Sequence, residues 1–335
     1  MHYWLDRPQR DGVDADEWKP ATDSEAAANI DKWYHTGRPL FPRDSLVSIR
    51  DQLRKPLAKG DFIFVKALDG LAYEYPVKTG KPTQVYVFDD DEANDDETKN
   101  DREPKTQEGV LGAPQIYYNS YESLKRDLEW SLSRAYFPIG IARLVKDLDA
   151  GLESFDAILQ EWEDSSTWKE IKSTLLSLGL EEQIGKVIGM ACGGFTATSE
   201  FKGSKRSAIQ NAFLVSLKRM FQESDLGIES LGCYVQDPLY TRTDEAVLEK
   251  SDIKVVEDPE GFLEMDDASL VFSCAPNICV KQIIADIARP AILIWCALQE
   301  EDPECISFPF PEDNGDNFTS MAIYVRQDAR IGCDA

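Results

Sequence analysis

A chain of 335 residues is long enough for more than one average domain and for a large core, and 42% hydrophobic residues is an ordinary globular composition. Its 61 acidic against 36 basic side chains leave a net charge of −25, which repels phosphate backbones and anionic lipid surfaces alike. Direct nucleic-acid binding and membrane association are therefore not expected. The N-terminal stretch "MHYWLDRPQRDGVDADEW" has no apolar core of a secretory signal, and no window offers ~18 consecutive apolar residues. An intracellular protein, cytoplasmic or also nuclear, is the expectation.

Residues 1–40 are polar with scattered aromatics (Tyr3, Trp4, Trp18, Trp33, Tyr34), expected to anchor an irregular arm that carries a short helix near 23–34. "DSLVSIRDQLRKPLAKG" puts Leu46, Ile49 and Leu53 at helical spacing, with Asp44 to cap its start and Gly60 to end the segment. "DFIFVKAL", "TQVYVFDD" and "PQIYYNSY" are rich in β-branched and aromatic residues and predict strands. Residues 89–103, "DDDEANDDETKNDRE", hold nine acids against two basic residues and read as a solvated, mobile loop. That run lacks the central glycine and terminal glutamate of a calcium-binding EF-hand.

From Tyr121 the pattern turns helical: Leu124, Leu128 and Leu132 recur every four residues, and Leu144, Leu148 and Leu152 repeat the spacing. "SFDAILQEWEDSSTWKEIKSTLLSLGL" predicts two more helices, the second capped by Ser165 or Ser166 and ended by Gly179.

After Gly185 short apolar runs follow: 186–191, 229–235, 253–256, 268–274 and 291–298. They are continuous rather than alternating, as in strands buried on both faces. Helical segments 204–223, 241–251 and 278–289 separate most of them. This alternation predicts an α/β fold, a Rossmann-like and mostly parallel sheet flanked by helices, preceded by a β-containing and helical N-terminal region. The run 320–326 reads as an added edge strand. The implied division is 1–120 (arm and small β-rich region), 121–184 (helical region) and 185–335 (α/β domain).

Ligands of such sheets sit outside the carboxyl ends of the strands, at the switch point. Three strand ends converge there: Cys192-Gly193-Gly194, Asp237-Pro238, and Cys274-Ala275-Pro276-Asn277. The glycines permit close approach of backbone or ligand. Thr196, Thr198, Ser199, Ser204 and Ser207 supply hydroxyls near a helix N-terminus, which favours an anion. Asp237 stands where many nucleotide-binding folds place the acid for ribose hydroxyls. The bland readings are that the double glycine makes a turn, that Asp237 caps the turn after it and that Gln210 bonds a neighbouring loop. The glycine spacing is not G-x-G-x-x-G, and Asp237 lies 44 positions after Gly193 rather than ~20. No cofactor is specified.

Chemistry is restricted by the residues present. The two histidines, His2 and His35, both lie near the N-terminus, so a multi-histidine metal centre is excluded and no metal is expected. Seven cysteines without framework spacing read as thiols in a reducing compartment.

Three segments resemble the signatures of the SRR1-like domain family over roughly 165–300. They are "CGGFTATSEFKGSKRSAIQNAF", "VQDPLYTRTDEAVL" and "SLVFSCAPNICVKQII", with "SSTWKEIKSTLLS" fitting the helix before them. The long N-terminal extension resembles filamentous-fungal members. The resemblance implies a role in light and circadian signalling, as in plants, or in regulating haem biosynthesis, and no settled reaction. These segments fall on the three strand ends, and the expected ligand-binding rim there is Cys192, Gly193, Gly194, Ser207, Gln210, Asp237, Pro238, Pro276 and Asn277. Where the family usually reads Met-Pro-His-Cys, this chain has Ala275, Pro276 and Asn277, so any proton-transfer or metal role that the family histidine suggests does not carry over. Three readings follow: a regulatory or accessory protein that binds a metabolite or a protein partner, a transferase or isomerase with Asp237 orienting a nucleotide-like or secondary-metabolite ligand near Cys192 or Asn277, or an interaction protein docking others through its acidic loop and helical region.

Overall fold

The computed structural model describes residues 3–5, 8–10, 13–14, 23–68, 70–79, 82–87, 105–130, 137–145, 155–195, 203–223, 231–298, 305–311, 317–318 and 320–330. The acidic run 89–103 lies outside them, as do Trp18, Thr196, Thr198 and Ser199. The chain forms two compact units, Met1–Thr36 with Asp51–Leu148, and Gly37–Arg50 with Asp149–Ala335.

The first unit contains β1 (Tyr3–Leu5), β2 (Gln9–Arg10), β3 (Val13–Asp14) and α1 (Asp23–His35). After α2 (Arg43–Leu53), whose first turns belong to the second unit, come β4 (Phe62–Lys66), β5 (Ala72–Pro76), β6 (Pro82–Val87), β7 (Lys105–Tyr118), α3 (Tyr121–Trp130) and β8 (Ile139–Val145). The strands make two sheets, ordered β1-β8-β7-β6 and β3-β2-β5-β4. All three strands expected in this region are present. The helical spacing of Leu144 does not hold: Leu144 lies in β8 and pairs with Tyr3. In "IGIARLV" the tertiary pairing with β7 outweighs a leucine period that a strand satisfies equally well. Leu132, Leu148 and Leu152 are outside the described residues. Tyr34 of α1 stacks on Tyr121 of α3 with ring centroids 4.0 Å apart.

The second unit continues with α4 (Phe155–Asp164), α5 (Ser166–Ser177), β9 (Lys186–Met190), α6 (Gly203–Glu223), β10 (Gly232–Gln236), α7 (Arg242–Glu249), β11 (Lys254–Val255), α8 (Glu260–Leu263), β12 (Ser269–Phe272), α9 (Val280–Ile287), β13 (Ile292–Cys296), β14 (Cys305–Pro309) and β15 (Met321–Arg326). Ser165 caps α5, its hydroxyl accepting the Trp168 N–H at 3.1 Å, and Gly179 follows the helix in left-handed backbone (φ 64°).

The sheet order is β11-β10-β9-β12-β13-β15-β14. The first five strands are parallel, while β15 runs antiparallel between β13 and β14. The segment expected at the edge is thus an inner strand, and "CISFP" is the edge. Its five consecutive buried residues, Met321–Val325, explain why: an edge position leaves one side unpaired, whereas β15 is covered on both faces and paired on both sides.

The chain leaves β9 in one direction through α6 to β10, and passes from β12 through α9 to β13 in the other. Right-handed crossovers then put α6 and α9 on opposite faces. On the α6 face Phe213 is fully buried, with Phe272 at 4.9 Å and Phe318 at 5.6 Å between ring centroids and Trp162 and Trp168 edge-on. The α8–α9 side is covered by residues 37–50. Leu40, Phe41, Leu46 and Ile49 are buried, Asp286 on α9 accepts the Phe41 N–H at 2.9 Å, and Arg43 donates to the Leu263 carbonyl.

Candidate functional site

The strand order reverses between β9, which precedes β10 and β11 on one side, and β12, which begins the other side. Their carboxyl ends carry the loops 191–195 and 273–279. Each loop holds a non-glycine residue in left-handed backbone, Ala191 at φ 55° and Ala275 at φ 47°. For an L-residue this costs about 1–2 kcal/mol, and such strain clusters at functional positions.

The glycine loop is clamped from below. Asp237, just past β10, accepts the Gly193 N–H on Oδ2 at 2.7 Å and the Leu239 N–H on Oδ1 at 2.9 Å. Asp244 is fully buried on α7 and accepts the Phe195 N–H at 3.1 Å. Its other oxygen accepts from the Thr241 N–H at 2.7 Å and the Thr241 hydroxyl at 2.9 Å, completing a capping box. Asn211 on α6 donates to the Gly193 carbonyl at 3.3 Å and accepts from the Tyr240 hydroxyl at 2.7 Å. The first two family-like segments are therefore tied into one unit by two carboxylates and an amide.

This close packing accounts for the two glycines. Gly193 sits at φ 76°, and a Cβ there would run into Ser207 Oγ; a Cβ on Gly194 would run into the Leu239 carbonyl. Both serve approach of backbone to neighbouring chain.

The electrostatics follow from this burial. Burial pushes the Asp237 carboxyl above its ordinary value, against the opposing pull of the Leu239 and Gly193 amides. Burial, with Asp237 and Cys274 nearby, pushes the Cys192 thiol well up, and Cys192 donates only a long contact to the Met190 carbonyl at 3.8 Å. A thiol so placed is a poor nucleophile.

The rim expected from sequence divides. Cys192, Gly193, Gly194, Ser207 and Asp237 come together around the first loop. Gln210 is buried and donates to the Asn317 carbonyl at 3.2 Å, and Asp237 caps its own turn, so both bland readings of these residues describe their contacts. Pro238, half-buried Pro276 and exposed Asn277 lie on the outer rim. Of the hydroxyls, Ser204 lies in the first turn of α6. His35 ends α1 in the first unit.

Three residues escaped the sequence reading. Asp244 was visible as the last residue of the Thr-x-x-Asp pattern Thr241–Asp244, a recognisable capping signal. Arg206, on the first turns of α6, points its guanidinium at Cys274 Sγ, 3.5 Å away, and nothing in its spacing marks it. Ser273, the first residue after β12, is fully buried with a hydroxyl that meets no hydrogen-bond partner. Such an unsatisfied group is uncommon in native structures.

Among the described residues no group of three or more His, Cys, Asp or Glu is placed to hold a metal, and no helix is long and apolar enough to cross a membrane.

Residues 165–325 match the family model of the SRR1 domain. No curated protein and no solved structure matches the chain.

Proposed function

Since this chain carries an SRR1 domain over residues 165–325, we propose that it is a regulatory or accessory protein that binds a small metabolite at the carboxyl ends of β9 and β12 without transforming it. The observation that carries this reading is the pair of left-handed alanines, Ala191 and Ala275, on the two loops that flank the reversal of strand order. Strained backbone clusters at ligand clamps, and the switch point is where sheets of this type take their ligands.

Binding is favoured over catalysis by how the reactive groups are used. Both Asp237 oxygens already hold backbone N–H groups. The Cys192 thiol is buried and kept protonated. Asn277, where the family carries a histidine, has no proton to exchange near neutral pH. A role in light, circadian or haem-linked regulation follows the family, and protein partners are consistent with a regulatory chain.

A thermal-shift screen with S-adenosylmethionine, nicotinamide cofactors, ATP and haem tests the reading. A bound ligand at a hundredfold excess over its Kd stabilises the folded chain by about 2.7 kcal/mol. The shift should shrink in Asn277→Ala and Pro276→Ala, whose side chains hold none of the loop contacts described above. If no ligand stabilises the chain and both variants keep biological activity, the crevice is not a binding site. Conversion of the bound ligand to a product would overturn the non-enzymatic part.

A further inference from the structure

The metabolite site just proposed has a chemical preference that its donors reveal. We propose that it takes a phosphorylated metabolite, whose phosphoryl group pairs with Arg206 at the start of α6; this rests on the binding reading above.

Arg206 is half-buried, and among the described residues its guanidinium makes one hydrogen bond, from Nη2 to Cys274 Sγ at 3.5 Å. A thiol sulfur is a weak acceptor for a group with five N–H donors. Among the described residues the guanidinium meets no carboxylate and no carbonyl. Other arginines of the second unit do: Arg219 lies 2.8 Å from Glu163, and Arg326 lies 3.4 Å from Asp267. In a chain with 61 acids, a half-buried arginine resting on sulfur at a strand end is left short of acceptors.

A second donor stands beside it. Ser207 packs its hydroxyl against Gly193, and among the described residues that hydroxyl meets no acceptor. Arg206 thus faces the end of β12 while Ser207 faces the loop after β9, so the two donors straddle the reversal of strand order. They project from the first turns of a 21-residue helix, whose N-terminal end adds a favourable field for an anion. A guanidinium fork and a hydroxyl on adjacent residues, one beside each of the two loops, suit the several acceptor oxygens of a phosphoryl group.

The test uses the full chain, with inorganic phosphate and pyrophosphate as probes at constant ionic strength, chloride replacing them in the control. Calorimetric titration and thermal shift should both report saturable binding, with pyrophosphate raising Tm. Arg206→Met should weaken pyrophosphate at least tenfold, Arg206→Lys should weaken it less, and Ser207→Ala should weaken it several-fold. If Arg206→Met does not fold, Arg206→Gln and Ser207→Ala carry the comparison, each judged by its ligand-free Tm. Absence of any phosphate or pyrophosphate effect, or an equal effect in the arginine variants, overturns the proposal. If an unphosphorylated metabolite binds and Asn277→Ala weakens it, the metabolite reading stands and the phosphoryl preference falls. If neither class binds, both fall together.

Discussion

Asp237 Oδ2 accepts the backbone N–H of Gly193 at 2.7 Å across 44 residues of sequence. One carboxylate thereby joins the end of β10 to the loop after β9, and its second oxygen fixes the turn at Leu239. Replacing Asp237 by alanine leaves two backbone donors without an acceptor. The expected loss is about 2–6 kcal/mol, from roughly 1–3 kcal/mol per stranded group, read from urea or guanidinium midpoints.

The same carboxyl gives a pH signature. Burial holds its folded-state pKa above the ordinary 3.8. A raised folded value means that protonation favours the folded chain. The contribution is full below the ordinary value and is lost as pH rises through the raised one. Lowering pH from 7 through that window should therefore stabilise the natural chain relative to Asp237→Asn. Equal responses of the two proteins from pH 7 down to below the ordinary 3.8 would rule the titration out.

Asp244 should be the more sensitive clamp. It is fully buried and accepts three hydrogen bonds, one of which holds Phe195 in the glycine loop. Asp244→Ala is expected to cost about 3–5 kcal/mol, and Thr241→Ala about 1 kcal/mol. The double variant should lose clearly less than the sum, since the two share the capping box. Strict additivity in a double-mutant cycle would contradict the coupling.

Gly193→Ala separates strain from crowding. The new Cβ meets Ser207 Oγ and also sits in left-handed backbone, so the single variant should lose about 2–4 kcal/mol. Adding Ser207→Ala should recover part of that loss and leave about 1 kcal/mol of backbone strain. No recovery in the double variant would place the cost elsewhere.

Phe41 tests the covering segment that lies outside the family match. It is fully buried, and its N–H bonds Asp286 on α9. Phe41→Ala should destabilise the second unit by about 3–5 kcal/mol, measured by hydrogen exchange of the α9 amides. Unchanged α9 protection would mean the segment is dispensable.

Thiol reactivity should follow burial. Cys192, Cys233 and Cys274 are buried, and burial pushes the Cys233 thiol up to about 12, whereas Cys279 and Cys296 are half-buried. Peptide mapping after brief alkylation of the native chain at pH 7.5 should find Cys279 and Cys296 modified first of these five. Early modification of Cys192 would revive it as a nucleophile.

Much of this molecule was legible in its linear pattern. The apolar runs at 186–191 and 268–274 announced strands buried on both faces, because continuous hydrophobicity over so short a length suits a parallel sheet covered by helices. The Ser165 cap and Gly179 stop marked α5, because those signals act within one turn of chain. Locally determined features of this kind need no partner from elsewhere, and the sequence by itself also determined the charge, the scarcity of histidine and the three family-like segments.

Contacts between distant residues were decided only by tertiary structure. Leu144 joined a strand because β7 and Tyr3 offered backbone partners that its leucine spacing could not reveal. Met321–Arg326 moved inside the sheet because "CISFP" supplied the outer edge. From sequence Asp237 stands where a ligand is expected, yet its nearest donors are backbone amides that the fold delivers to it. Arg206 acquired its interest from the acceptors it does not meet. A hydrogen bond depends on distances of a few tenths of an ångström between groups far apart in sequence. Composition and periodicity carry no information at that scale, so only the folded chain could assign these roles.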